Sequence, residues 1–284
     1  MESEQPENRR RTGLPLGAWA VLGVVGISLV GLSAPVMLKC RKAADRTEAI
    51  NNIKQLGAML IEFDTEYGSF PDDATALEVK RRTNTDLTPL TGPYSNDYFR
   101  QLLAGGGGKS EKPFWCRAPK HAKKKADDNF STLAKALEAG EVRFSYIMAT
   151  PTRGQSASGE PSRPVVLTPS YNFQADWTFD PNVFAGKAVV LRLDYSATAM
   201  QIREDNKKIS TISGKTLGDT GEGTPWGTQM SPVLRAPQPY DDGPSLEEVR
   251  YAWLRCIALA VPLLALFIWS VKRIQKSRTN IQPT

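Results

Sequence analysis

"NNIKQLGAMLIEFDTEYGSFPDD", residues 51–73, decides the fold of this chain. Its apolar side chains recur every three or four residues, which is the spacing of one face of an α-helix. Gly68 and then Pro71 end this helix. Because the opposite face is polar, we expect a folded domain to pack against the apolar one. The apolar face begins one residue before the quoted stretch and consists of Ile50, Ile53, Leu56, Leu60, Phe63 and Tyr67.

An uncharged run lies upstream of this stretch. Leu14 to Leu38 are 25 residues without a charge, enough to cross a bilayer with some tilt. We predict a basic cytoplasmic leader at 1–12, a first transmembrane helix at 13–38 and an amphipathic stem helix at 39–68, continuous except for a kink at Pro35. The alternative is a signal peptide that is cleaved in the Ala34 region.

A second apolar run predicts another transmembrane helix at 245–273, opened by an S-x-x-E capping box at Ser245. A buried core helix is the alternative, but the basic residues that follow at once favour a membrane flank. That flank makes the tail at 274–284 cytoplasmic, and two spans then place the N-terminus there too. We therefore expect an inner-membrane protein of bacteria with both termini cytoplasmic and its bulk in the periplasm. The flank consists of Lys272, Arg273, Lys276 and Arg278.

The exported segment, 69–244, shows helix patterns first and strand patterns later. This order predicts an α+β fold in which an antiparallel sheet packs on the stem helix. We predict helices at 72–82, 95–108 and 127–141, and strands at 141–149, 163–168 and 187–202. In the first strand, apolar residues at 142, 144 and 146 alternate with polar ones at 143 and 145. Residues 216–244 show little periodicity and are interpreted as a tether to the second span.

The motif GGGGKS ends like a phosphate-binding loop, with Lys109 and Ser110 in the last two places. The first glycine of that motif is missing, since position 103 is Leu103, and a helix rather than a strand precedes the loop. We therefore predict that the glycines end a helix and open a surface loop, and that no nucleotide binds. The basic run 120–128 lacks an aromatic ladder, so nucleic acid is not expected as a partner.

Metal and cofactor sites have little support in the sequence. The chain has one histidine, His121, and three cysteines without a C-x-x-C pair. A bridge between Cys40 and Cys116 is left open. The acidic pairs 72–73 and 241–242 offer too few oxygens for Ca²⁺ and are better explained by turns and helix caps. We predict no catalytic, cofactor-binding or metal-binding residue and no cofactor.

The N-terminal half of the chain resembles type IV pilins and type II secretion pseudopilins. A basic leader ends at Gly13, an apolar helix follows, and Pro35 is the twenty-second residue after Gly13, where pilins carry a proline. The segment quoted above is similar to the N-x-K-Q-[IL]-G…Y…G-x-[FY]-P segment of pilin-like proteins from planctomycetes and verrucomicrobia. The match rests on Asn51 or Asn52, Lys54, Gln55, Gly57, Tyr67, Gly68, Phe70 and Pro71.

The late part of the chain resembles these proteins less. A strand reading V-x-x-[LF]-x-D-G-S corresponds to residues 186–202, but Tyr195 replaces the glycine. Ala18 stands where pilins carry the glutamate used in assembly, and Pro15 follows the first residue after Gly13. Pilins also lack a C-terminal span. The resemblance therefore implies the pilin-like α+β layout, whereas cleavage by prepilin peptidase and polymerisation are not carried over.

Together these patterns predict a non-enzymatic, membrane-anchored pilin-like protein with a structural or docking role in the cell envelope. The expected partners are the membrane lipid bilayer and proteins of the envelope, a pilus or a type II secretion assembly. One alternative is a filament-forming minor pilin or pseudopilin. Another is an envelope hydrolase with a Ser/Lys pair, although neither S-x-x-K nor G-x-S-x-G occurs.

Overall fold

The computed structural model of the chain describes residues 16–87, 89–118, 124–211 and 213–240, with side chains from residue 37 onward. The fold belongs to the unit that ends at Pro239. Its elements are α1 (Leu16–Tyr67), α2 (Asp73–Thr83), α3 (Ser95–Ala104), β1 (Ser145–Met148), β2 (Pro164–Thr168), β3 (Lys187–Arg192), β4 (Ala197–Gln201) and β5 (Val233–Arg235), with short 3-10 turns at Lys112–Phe114 and Tyr171–Phe173.

Helix α1 is one continuous element of 52 residues and covers most of the predicted first span and all but the last residue of the predicted stem. The continuity across Pro35 agrees with the sequence prediction. Among the described side chains, no helix is long and apolar enough to cross a membrane. The predicted leader, the second span at 245–273 and the tail at 274–284 lie outside the described residues.

The apolar face of the stem is confirmed as the face that packs on the domain. Ile53 and Leu56 are fully buried, and Leu60 and Phe63 expose 1% and 3% of their surface. Ile50 and Tyr67 are partly buried against the same core. Burying a large aliphatic or aromatic side chain contributes about 1.5–3 kcal/mol, so this face holds α1 on the domain.

The five strands form one antiparallel sheet in the order β4-β3-β2-β1-β5. Alternate side chains enter two different cores. Tyr146 and Val189 belong to the core shared with α1, whereas Ile147 and Val190 belong to a second core on the opposite face. The α+β fold with an antiparallel sheet on the stem helix is therefore confirmed.

The alternation expected in the first strand does not separate buried from exposed positions. Arg143 is 3% exposed and Ser145 is fully buried, as are the apolar residues Val142, Phe144 and Tyr146. The reason is the second core, which covers the sheet face that a two-layer fold would leave open to water. The Arg143 guanidinium lies over the ring of Phe173 at 5.6 Å.

The predicted helix at 127–141 is wrong. This segment forms turns, with the backbone of Leu137 at φ 47° in the left-handed region. Side chains from distant parts of the sequence hydrogen-bond the backbone groups of Leu137, which a helix would bond internally. The carbonyl oxygen of Leu137 accepts from Asn96 Nδ2 at 2.8 Å, and its N–H donates to Glu111 Oε1 at 2.7 Å. The predicted helices at 72–82 and 95–108 are confirmed as α2 and as α3, which stops at Ala104.

The interpretation of 216–244 as a tether is wrong for its described part. Val233–Arg235 forms β5, the edge strand beside β1. Trp226 exposes 1% and Leu217 3% of their surface, and both belong to the second core. A three-residue strand between Pro232 and Pro237 gives no periodic signal, so the sequence pattern could not reveal it.

Candidate functional site

Residues 51–71, the segment that is similar to pilin-like proteins, join α1 to the rest of the domain. Asn52 Nδ2 donates to the carbonyl oxygen of Trp115 at 2.7 Å. Gly57 lies where β3 crosses α1, and a Cβ there would stand 2.9 Å from Leu191 Cδ2 and 3.1 Å from Tyr195 Cε2. This crossing therefore favours glycine, because even an alanine Cβ would force the Leu191 side chain to shift.

The end of the same segment forms a turn that is held by ring stacking and a backbone hydrogen bond. Tyr67 stacks on Phe63 with ring centroids 4.4 Å apart, and Gly68 takes φ +85°, which favours glycine. The N–H of Phe70 then donates to the Gln155 carbonyl at 2.8 Å. These contacts make the motif part of the fold's framework. By contrast, Lys54 and Gln55 are exposed.

The acidic pair Asp72–Asp73 serves as the start of a helix, as expected. Asp72 Oδ1 accepts from the Thr75 N–H at 2.7 Å, and Thr75 Oγ1 accepts from the Asp72 N–H at 2.8 Å, which is a capping box. Asp72 Oδ2 also accepts from the Gly154 N–H at 3.1 Å. The other acidic pair, at 241–242, lies outside the described residues.

The GGGGKS loop has the structure predicted for a helix end. Gly105 caps α3, and its N–H donates to the Gln101 carbonyl at 2.8 Å. Ser110 Oγ donates to Asp128 Oδ1 at 2.8 Å, and the same oxygen accepts the N–H of Glu111 at 2.8 Å. The hydroxyl that a phosphate-binding loop would offer to Mg²⁺ thus holds the loop closed.

Beyond this loop the chain assembles a cluster of carboxylates, which we call the carboxylate cluster: Glu111, Asp127 and Glu141. One oxygen of each lies within 4.8 Å of the others. Glu111 and Glu141 are fully buried, whereas Asp127 is exposed. Glu111 follows the glycine loop, Asp127 lies in the basic loop and Glu141 follows the Gly140 turn. Three segments without helix or strand therefore meet at this point.

The hydrogen bonds of the carboxylate cluster are incomplete. Glu111 Oε1 accepts the N–H of Leu137 at 2.7 Å, and Glu141 Oε2 accepts the N–H of Glu138 at 2.7 Å. The other oxygens, Glu111 Oε2 and Glu141 Oε1, are buried without a hydrogen bond. Each glutamate therefore uses one oxygen to hold the backbone; Glu111 Oε2 is left without a partner, whereas Glu141 Oε1 faces the ammonium of Lys124.

Burial, above all, raises the pKa of the Glu111 carboxyl to about 7. The Leu137 N–H opposes this shift, and the charges of Glu141 and Asp127 add to it. Burial likewise raises the pKa of Glu141, against the lowering effect of Lys124. Both buried carboxyls are thus harder to ionise than an ordinary glutamate, mainly because they are removed from water.

Lysines approach the carboxylate cluster from one side. Lys124 Nζ forms an ion pair with Glu138 and lies 3.4 Å from Glu141 Oε1. Lys135 Nζ lies 3.5 Å from Glu138. Sequence analysis did not select these carboxylates because 30 positions separate Glu111 from Glu141 along the printed numbering. The only available signal was a glutamate shortly after each glycine turn, three residues after Gly108 and directly after Gly140, which is too common to be diagnostic.

The two described cysteines are not paired. Cys40 is exposed and Cys116 is fully buried, and both are free thiols. Burial raises the pKa of the Cys116 thiol to about 12, so it is inert at neutral pH.

Among the hydrogen bonds of the described residues, none joins a serine hydroxyl to a lysine ammonium, the pair that a Ser/Lys hydrolase requires. Ser156 and Ser158 line an open cleft of about 780 Å³ beside the end of α1. Ser156 Oγ donates to Asp64 Oδ2 at 3.1 Å, and it lies 3.0 Å from Ser158 Oγ. These hydroxyls hold the loop in place.

Comparison with protein-family models, with curated proteins and with solved structures gives no match to this chain.

Proposed function

We propose that the protein is a non-enzymatic, membrane-anchored, pilin-like protein that presents its α+β domain outside the cytoplasm of a bacterial cell. Its role is structural or docking, beside a pilus or type II secretion assembly. One observation supports this proposal most: α1 is a single helix, and among its described side chains those in the domain's apolar core begin at Ala49. A helix of this form is suited to carry a domain at a distance from its anchor.

The dimensions agree with this arrangement. The first apolar core residue among the described side chains of α1 is Ala49. The helix before it is about 50 Å long at 1.5 Å per residue. This length exceeds the roughly 30 Å of a bilayer's hydrocarbon core, so it suffices for a membrane span and a short exposed neck.

The junction between the predicted span and the stem, residues 37–41, carries both apolar and basic residues. Met37 and Leu38, the last apolar residues of the predicted span, are 69% and 59% exposed. Lys39 and Arg41, which follow them, are exposed as well. An exposed apolar pair followed by basic residues fits the boundary between hydrocarbon and headgroups. The lipid bilayer is therefore the first proposed partner. Nucleotides and nucleic acids are not among the proposed partners.

The proposal is tested by mapping the location of both termini in cells and measuring the intact mass of the same protein. Reporter fusions at Met1 and Thr284 should both report the cytoplasm, and the mass should equal that of the full chain. A reporter at Thr284 that is active only outside the cytoplasm would contradict the two-span arrangement.

The same experiment separates the alternatives. A mature chain starting at Leu14, found also in sheared filaments, would indicate a minor pilin. A chain cleaved in the Ala34 region would indicate an exported protein without the first anchor. Labelling by a serine-reactive probe that one serine substitution abolishes would indicate a hydrolase.

A further inference from the structure

We propose that the carboxylate cluster formed by Glu111, Asp127 and Glu141 binds a divalent cation, and that Ca²⁺ is preferred over Mg²⁺. The proposal concerns the domain alone and does not depend on how the chain is anchored. Neither the sequence motifs nor the proposed function assigns any role to these three residues.

The first argument is the unpartnered oxygen of Glu111. Its side chain is fully buried, and Oε2 has no hydrogen-bond partner although Oε1 is held by the Leu137 N–H. A buried carboxylate oxygen without a partner is unfavourable unless a cation or a donor compensates it. The same cluster brings oxygens of Asp127 and Glu141 within 4.8 Å, which is the arrangement that one shared cation would create.

The second argument is that the neighbouring lysines neutralise only part of the cluster. Lys124 pairs with Glu138 and Glu141, and Lys135 pairs with Glu138. Within the part of the chain that the structure describes, no ion pair reaches Glu111 or Asp127. Among the described residues, Glu111 and Asp127 therefore have no cationic partner, and a divalent cation would match their combined charge.

The donor set determines the kind of cation. All three side chains offer oxygen, which suits hard cations such as Ca²⁺ and Mg²⁺ rather than Zn²⁺ or copper. Mg²⁺ keeps several of its waters and is usually held by one or two carboxylates. Two fully buried ligands leave little room for such a water shell. Ca²⁺ tolerates irregular geometry and more protein ligands, so it fits this cluster better.

A bound cation would fix a part of the domain that has little regular structure. Between α3 and β1 the described chain contains only the 3-10 turn Lys112–Phe114. Each ligand comes from a different piece of this region, so the cation would join the glycine loop, the basic loop and the Gly140 turn. We therefore expect binding to stabilise the folded protein by linkage.

The test uses the full-length protein in detergent, stripped with EDTA and titrated with CaCl₂ while unfolding is followed by tryptophan fluorescence. Ca²⁺ should raise the Tm with half-saturation on the order of 10⁻⁴–10⁻³ M, as in extracellular modules. Asp127→Asn should weaken the response at least about tenfold because it removes a ligand charge. Asp127 is exposed, so this variant is expected to fold.

Asp86→Asn is the matched control, since Asp86 is also an exposed aspartate in a loop but lies outside the cluster. It should keep the wild-type Ca²⁺ response. A wild-type Tm that does not change up to about 10 mM Ca²⁺, well above the expected range, would overturn the proposal. A wild-type response in Asp127→Asn would overturn it as well. Equal responses to Mg²⁺ and Ca²⁺ would overturn the preference for Ca²⁺.

Lys124→Gln tests the arrangement from the other side. The ammonium of Lys124 lies 3.4 Å from Glu141 Oε1, the oxygen that we expect to bind the cation. Removing this competing charge should lower the half-saturating Ca²⁺ concentration severalfold. If Lys124 is instead the cluster's permanent counter-ion, Lys124→Gln should lower the Tm without strengthening the Ca²⁺ response, and the proposal would be wrong.

Discussion

The hydroxyl of Tyr195 donates a hydrogen bond of 2.9 Å to the carbonyl oxygen of Lys54, which joins the β3–β4 hairpin to the stem helix. Tyr195 adopts φ 65°, a backbone conformation that favours glycine. The strand motif that this region resembles has glycine at the same place. Here the tyrosine ring passes Gly57 and reaches the helix backbone, so the departure from the motif creates a contact between sheet and stem.

Gly57→Ala should destabilise the domain. Alanine is favoured over glycine in a helix by about 1 kcal/mol. The new Cβ would stand 2.9 Å from Leu191 Cδ2, and overpacking of this kind costs about 1–3 kcal/mol. We expect a net loss of up to about 2 kcal/mol in the free energy of unfolding, measured by urea denaturation. Gln55→Ala, at an exposed position of the same helix, is the control. A Gly57→Ala variant more stable than wild type would show that β3 does not constrain α1.

Tyr195→Phe and Tyr195→Gly should behave differently. The phenylalanine variant loses the hydrogen bond to Lys54 and keeps the left-handed backbone, so we expect a loss of about 0.5–1.5 kcal/mol. The glycine variant loses the ring as well but relieves a backbone cost of about 1 kcal/mol or more. We therefore expect the glycine variant to be at most about 1 kcal/mol less stable than the phenylalanine variant. Unfolding in urea measures both, and an unchanged Tyr195→Phe would mean that the bond does not contribute.

Local periodicity was sufficient to predict the stem, because its apolar side chains recur along one continuous helix. It predicted a single strand over 187–202, where the chain instead forms the two antiparallel strands β3 and β4 with a turn between them. Start and stop signals failed at 127–141, where polar residues at the beginning and Gly140 at the end suggested a helix. There Asn96 and Glu111 bind the backbone of Leu137, and these partners lie far away in the sequence. Local patterns failed at the carboxylate cluster for the same reason, since Glu111 and Glu141 meet only after the chain has folded.

The two described cysteines should differ in reactivity. In the full chain with Cys256→Ser, a maleimide at pH 7 should label exposed Cys40 quickly. Cys116 should react only after denaturation, because it is fully buried and its pKa is raised to about 12. Mass spectrometry of the labelled peptides measures both rates. Equal rates, or a Cys40–Cys116 bridge on a non-reducing gel, would contradict the structure.

Tyr98 should make the domain sensitive to alkali. Burial, above all, raises its pKa to about 12, which is above the value of about 10 expected for an unfolded chain. A group whose folded pKa is raised stabilises the fold fully below the unfolded pKa and loses this effect as the pH rises to the folded pKa. The window is therefore pH 10–12, and the effect is on the order of 2–3 kcal/mol.

Tyr98→Phe provides the comparison for this effect. Wild type and variant should be unfolded in urea at several pH values from 9 upward. The stability of wild type should fall relative to the variant across the window, because only wild type carries the Tyr98 hydroxyl, whose ionisation favours the unfolded chain. Parallel curves would show that Tyr98 does not titrate in the folded state as described.

Asn96→Ala should loosen the turns at 127–141 before it affects the helix that carries it. Asn96 Nδ2 donates to the carbonyls of Leu137 and Glu138 at 2.8 and 3.2 Å, and Asn96 Oδ1 accepts the N–H of Gln238 at 2.8 Å. Each buried group that loses its partner costs about 1–3 kcal/mol, so the variant should be clearly destabilised. Amide exchange by mass spectrometry should rise first in the turn region and around Gln238, since no regular ladder protects them, and less in α3. Uniform exchange over the whole domain would show that the turns unfold only together with the rest and that Asn96 does not hold them separately.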